Sequence, residues 1–60
     1  MQEDLPEYLT VEEVATRLRL DISTIRKYIR QKKLIAYKFG REYRIYREDF
    51  LAFMAQHKTQ

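Results

Sequence analysis

The chain has 60 residues, of which 45% are apolar and 35% charged, with 5 Tyr, 3 Phe and no cysteine. That is enough for one small core near the lower limit of independent folding, and it excludes a disulfide framework or a thiolate metal site. Net charge is +3 but unevenly spread, −5 over residues 1–16, +9 over residues 17–47 and −1 over residues 48–60, a footprint suited to a polyanion.

No apolar run approaches the ~18 residues of a membrane span. Met1–Glu7 is acidic where a secretory signal is basic. The sequence therefore reads as a soluble intracellular protein. Residues 1–8 read as a lead-in, residues 9–56 as one domain, and residues 57–60 as a frayed tail.

Leu9-Thr10-Val11-Glu12-Glu13 reads as a helix start. Thr10 can accept from the Glu13 backbone N–H while the Glu13 side chain reaches back to Thr10, a capping box. Val11, Val14, Ala15 and Leu18 follow at i, i+3, i+4, i+7, one helical face ending near Leu18. Arg19-Leu20-Asp21 is long enough only for a tight turn, with Leu20 tucked into the bend. Asp21 is a good N-cap for a second helix, on which Ile22, Ile25 and Ile29 keep apolar spacing with Tyr28 beside them. Two short helices joined by about three residues have the shape of a helix-turn-helix.

The period then switches to two. Ile35, Tyr37 and Phe39 alternate with Ala36 and Lys38, and Tyr43–Tyr46 gives a return strand. Gly40-Arg41-Glu42 is the turn between them, with the only glycine at a hairpin tip that requires positive φ. A helical period returns from Arg47, with Phe50, Phe53 and Met54 on one face, Leu51 at its edge, and Glu48 and Asp49 in the first turn. The order is helix, turn, helix, hairpin, helix: mainly α with a small β-hairpin.

At this point the residues carry a family resemblance. Leu9–Met54 resembles the MerR/excisionase group of winged helix-turn-helix domains. The resemblance rests on Leu9-Thr10-Val11-Glu12-Glu13-Val14-Ala15, on Leu18–Ile29 across the turn, and on Tyr43-Arg44-Ile45-Tyr46-Arg47-Glu48-Asp49-Phe50 leaving the hairpin. It implies a second helix in the major groove of duplex DNA and a hairpin wing along the backbone or minor groove. Arg19 stands where relatives often have glycine, and Asp21 where serine is common. The likeness is to the free-standing excisionase-like members more than to the ligand-sensing regulators, so no small-molecule effector and no cofactor is expected.

On that docking, Ser23, Arg26, Lys27 and Arg30 share one arc of the second helix. Arg and Lys can donate to guanine O6 and N7, and Ser23 and Thr24 to a phosphate or base edge. The bland alternative is that Arg26 and Arg30 make only surface contacts and Thr24 only supports the cap. Arg17 and Arg19 flank the turn, either against phosphates or as solvated partners of the helix dipole. In the wing, Arg41 suits a narrow minor groove. Lys38 and Arg44 suit phosphates, with an ion pair to Glu42 or Asp21 the alternative for Arg44. Lys32 and Lys33 fit phosphate or the C-terminal dipole equally.

Tyr28, Tyr37, Phe39, Tyr43, Tyr46, Phe50 and Phe53 interleave with bases, which can mean stacking on single strands. Their periods favour a core that holds the wing to the helices. His57 is the only histidine, so no metal site is expected. Neither a catalytic constellation nor a phosphate-binding glycine loop is present, so the sequence does not read as an enzyme. Three functions stand in order: sequence-biased binding of double-stranded DNA, as a transcription regulator or recombination-directionality factor, with further copies or a partner protein on the DNA; a protein-interaction adaptor reusing the fold; and RNA or single-strand binding. The expected location is the cytoplasm, on the nucleoid if the source is bacterial.

Overall fold

A computed structural model describes residues 5–59. The chain runs β1 (Tyr8–Leu9), α1 (Val11–Leu18), α2 (Ile22–Arg30), β2 (Tyr37–Phe39), β3 (Glu42–Tyr46) and α3 (Arg47–Gln56). Three helices and a small hairpin form a mainly helical winged helix-turn-helix.

The capping box opens α1 as its residues dictate. Glu13 N–H donates to Thr10 Oγ1 at 3.1 Å, and Thr10 N–H donates to Glu13 Oε1 at 2.9 Å. Two otherwise unpaired donors at the helix start are thereby satisfied. The helix buries Val11, Val14 and Ala15. It stops at Arg19, whose φ of 57° and ψ of 44° are left-handed. Leu20 N–H returns to the Ala15 carbonyl at 2.9 Å and Arg19 N–H to the Thr16 carbonyl at 3.3 Å. This is the Schellman pattern that glycine usually completes.

Asp21 sits at the N-cap of α2, but its side chain makes no capping hydrogen bond. Its carbonyl alone starts the helix, accepting from Thr24 and Ile25 N–H groups at 3.0 and 3.2 Å. Ile25 and Ile29 are buried. Leu20 and Ile22 are not, at 42% and 41% exposed. The left-handed residue between α1 and α2 reverses the chain and leaves both outside the bend. A second Schellman pattern ends α2. Lys32, at φ 66°, donates to the Ile29 carbonyl at 3.0 Å, and Lys33 to the Tyr28 carbonyl at 2.9 Å.

The sheet is antiparallel with order β1-β3-β2. β1 extends the expected two-stranded hairpin to three strands, pairing Tyr8 with Tyr46 and Leu9 with Ile45. The segment before Leu9 does structural work as well. Leu5 is buried, its carbonyl accepts from Arg47 Nη1 at 3.0 Å, and the Glu7 carbonyl accepts from Arg47 N–H at 2.9 Å.

β2 pairs with β3 through Tyr37↔Arg44, Lys38↔Tyr43 and Phe39↔Glu42. This leaves a two-residue loop, Gly40-Arg41. Gly40 has φ +65° and Arg41 is not among the positive-φ residues, the pattern of a type II′ turn. The register also decides which way the alternation faces. Cross-strand partners share a face, and Leu9 and Ile45 are fully buried. Residues 34, 36 and 38 therefore lie on the inner side and 35, 37 and 39 on the outer. Leu34 is 1% exposed, whereas Ile35, Tyr37 and Phe39 are 57%, 50% and 48% exposed. The expectation that the hairpin aromatics fill the core is thus corrected. Phe50 and Phe53 are buried, Tyr28, Tyr43 and Tyr46 are half-buried, and Tyr37 and Phe39 face solvent.

α3 leaves β3 without a loop and buries Phe50 and Phe53, with Leu51 half-buried and Met54 exposed. His57 is not loose. Its Nδ1 donates to the Phe53 carbonyl at 2.9 Å, and its ring lies 4.3 Å from Phe53 and 5.9 Å from Tyr28, centroid to centroid. The core is wholly apolar, and no polar or charged described residue is buried. Any function carried by charge therefore works at the surface. No described helix is long and apolar enough to cross a membrane.

Candidate nucleic-acid interface

α2 has two sides because 3.6 residues make a turn. Ile25 and Ile29 face the core. Ser23, Arg26, Lys27 and Arg30, spaced i, i+3, i+4, i+7, lie on the opposite arc and are all exposed. Thr24 is half-buried at the edge of that arc. The apolar side thus anchors a rigid helix while three cations and a hydroxyl project from it.

The hairpin tip comes to the same side. Arg26 and Arg41 line one cleft of about 110 Å³, with Thr10, Val11 and Glu12 at the start of α1 and Glu42 and Tyr43 on β3. A larger cleft of about 630 Å³ lies between the end of α2 and the hairpin, and Arg30, Lys32 and Tyr43 are among the residues lining it. Tyr43 lines both clefts, so the two open side by side along the junction of α2 and the wing. Lys38 stands across from Tyr43 on the same sheet face, its Nζ 5.8 Å from the ring centroid. Arg26 and Arg41 thus line one cleft and Arg30 and Lys32 the other, and Lys38 lies by the ring of Tyr43, which lines both.

Arg44 and Arg17 go elsewhere. Arg44 is paired with Tyr37 on the outer sheet face. Its guanidinium lies 5.1 Å from the Tyr8 ring centroid and 4.8 Å from that of Phe39, a double cation–π contact. Tyr46 joins this layer, edge-on to Tyr8 at 6.0 Å and to Tyr37 at 5.2 Å. Arg17 shares the flank of α1 with Glu12, Glu13 and Thr16, one turn beyond Glu13 in the favourable order for a helical ion pair. Arg19 is exposed in the turn that enters α2.

Sequence reasoning missed Tyr43 as the residue joining the two clefts. Only the register with Lys38 reveals it, and the alternating pattern alone does not fix that register. It also missed that Glu12 and Glu42 stand beside Arg26 and Arg41. Both carboxylates belong to segments read separately, as a helix start and as a turn.

No curated protein and no solved structure matches the chain. A family model described as a helix-turn-helix domain matches residues 8–58. That span takes in the whole of β1 through α3, the clefts included. The chain therefore belongs to the excisionase-like helix-turn-helix domain family, whose members are DNA-binding modules.

Proposed function

We propose that the chain docks on double-stranded DNA with α2 in the major groove and the β2–β3 wing on the adjacent backbone or minor groove. The single observation that supports this reading is that Arg26 of α2 and Arg41 of the wing tip line one cleft. A groove wall meeting one of them meets the other. Ser23, Arg26, Lys27 and Arg30 are the base-reading set, Arg and Lys toward guanine edges and Ser23 toward a base or phosphate. Lys38 holds phosphate and Arg41 enters the minor groove. The chain acts as a binding module without catalysis, in the cytoplasm, either in transcription regulation or as an excisionase-like recombination-directionality factor. A domain this small makes few contacts, so working affinity comes from adjacent copies or a partner protein on the DNA.

Selection from random duplexes followed by mobility-shift titration tests the reading. Arg26→Ala and Arg30→Ala each cost about 1–3 kcal/mol on the selected site and relax its sequence at one position. Arg41→Ala weakens selected and unrelated duplexes alike. Equal binding by all three variants would refute the docking. Preference for single strands, or no binding to any nucleic acid, would refute the choice of duplex DNA.

A further inference from the structure

In the order β1-β3-β2 the strand β2 is an edge strand. Among the described residues its only backbone partner is β3, and no turn, loop or cap bond involves residues 35–41. The two-residue turn makes Phe39↔Glu42 a hydrogen-bonded pair, and hydrogen-bonded and non-bonded pairs alternate along an antiparallel ladder. Lys38↔Tyr43 is therefore a non-bonded pair, and the Lys38 N–H and C=O point away from β3 to the open edge. Such groups are a template for one more strand.

The side chains along the edge say what kind of strand fits. On the outer face Ile35, Tyr37 and Phe39 stand exposed in a row, apolar surface that a fourth strand would cover. On the inner face Lys38 is exposed and Ala36 half-buried. The cleft of about 630 Å³ beside the start of β2 is lined by Ile35 and Ala36, and its charged lining residues are Arg30 and Lys32. A strand added here meets apolar groups on one face and positive charge on the other. A lysine on an edge guards against pairing with like strands. A second β2 laid on this one would bring lysine toward lysine, and like charges across a pair of strands repel. The same charge admits a strand of opposite sign. We infer that the free edge of β2 takes an extended segment of a partner protein in which acidic residues alternate with apolar ones. Its carboxylates face Lys38 and the cleft, and its apolar side chains lie against Tyr37 and Phe39. This pairing needs only the sheet edge and not the duplex docking, though the partner and a duplex phosphate would compete for Lys38.

The test titrates the isotope-labelled full chain with a capped six-residue peptide alternating glutamate and valine, read by amide shifts and hydrogen exchange. One control peptide has lysine for glutamate, and another has the same composition with its valines and glutamates in separate blocks. The alternating acidic peptide alone is expected to bind. The Lys38 amide should slow in exchange, while those of Tyr37 and Phe39, already turned to β3, change little. Lys38→Ala keeps the amide and loses the charge, so affinity falls about two- to fivefold, the worth of one cross-strand pair. Lys38→Glu reverses the preference in favour of the lysine peptide. Both substitutions are at an exposed position and keep the wild-type melting temperature. No binding of the alternating peptide, equal binding of either control, or binding that leaves the Lys38 amide exchanging as before overturns the strand addition. Self-association of the chain alone through this edge also overturns it, by making a second copy the occupant. A chain that binds the peptide in the expected way and binds no duplex upholds it while the docking reading falls.

Discussion

Leu34 and Ile35 are neighbours with opposite fates, and exchanging each for alanine tests the fold that positions the wing. Leu34 is 1% exposed, between the end of α2 and the start of β2. Its N–H reaches back to the Tyr28 carbonyl at 3.3 Å, so it is tied to both elements. Truncating a fully buried leucine costs about 2–5 kcal/mol through lost transfer energy and the cavity left behind. A domain of this length has a total stability of roughly 3–9 kcal/mol at 0.05–0.15 kcal/mol per residue. Leu34→Ala therefore removes a large fraction of it, and the melting temperature falls by about 10 °C or more. Ile35 is over half exposed, and Ile35→Ala stays within about 0.5 kcal/mol of wild type. Urea titration followed by circular dichroism reads both. A larger loss for Ile35→Ala than for Leu34→Ala would mean that the hairpin faces the other way, and the account of the interface would fall with it.

The other predictions concern single local features. Thr10→Ala removes one half of the capping box and should cost about 1 kcal/mol in the same urea titration, with no change in slope against denaturant. Gly40→Ala meets no atom within 4 Å, so its cost is the left-handed backbone alone, about 1 kcal/mol. Gly40→Asn should recover part of that loss, and equal losses for the two would refute the conformational explanation. Arg44→Ala loses two ring contacts and should destabilise the wing by about 0.5–1 kcal/mol. Its salt dependence on duplex DNA should match wild type, and a reduced slope would return Arg44 to the phosphate-binding set.

The helices were legible because each carries its own punctuation. Thr10 and Glu13 start α1 in the sequence as they do in space, and the spacing of Val11, Val14 and Ala15 points to the buried face. α2 and its cationic arc follow from the same arithmetic. The hairpin was legible as a hairpin, since Gly40 marks the turn, but its orientation was not. Period-two alternation says that residues 35, 37 and 39 share a face without saying which face is wet. Large apolar and aromatic residues suggested the inner one. The buried side is instead set by Leu9 and Ile45, through a register that couples residues 36 and 38 to Tyr43 and Ile45. β1 was missed for a related reason: a two-residue strand has no period, and its partner lies in a segment more than thirty-five residues further on. The surroundings of Arg44 were not legible, because its neighbours, Tyr8 and Phe39, are adjacent only once three strands are laid side by side.

The relation between the α2 arc and the wing tip is therefore a property of the apolar core more than of the charges themselves. β3 is held on one edge by β1 and on the other by β2, and it runs directly into α3. Ile45, the fourth of its five residues, is fully buried, as are Ile25 on the inner side of α2 and Leu34 between α2 and β2. These three side chains belong to one buried cluster, which joins α2 to the sheet that carries the wing. Removing an arginine would leave that cluster unchanged and alter only what is offered to the DNA. Removing Leu34 or Ile45 would leave the arginines present and loosen the spacing between them. Binding should thus fail in two separable ways, by loss of a contact with the fold intact or by loss of the fold that aligns the contacts, and the melting temperature tells which has happened.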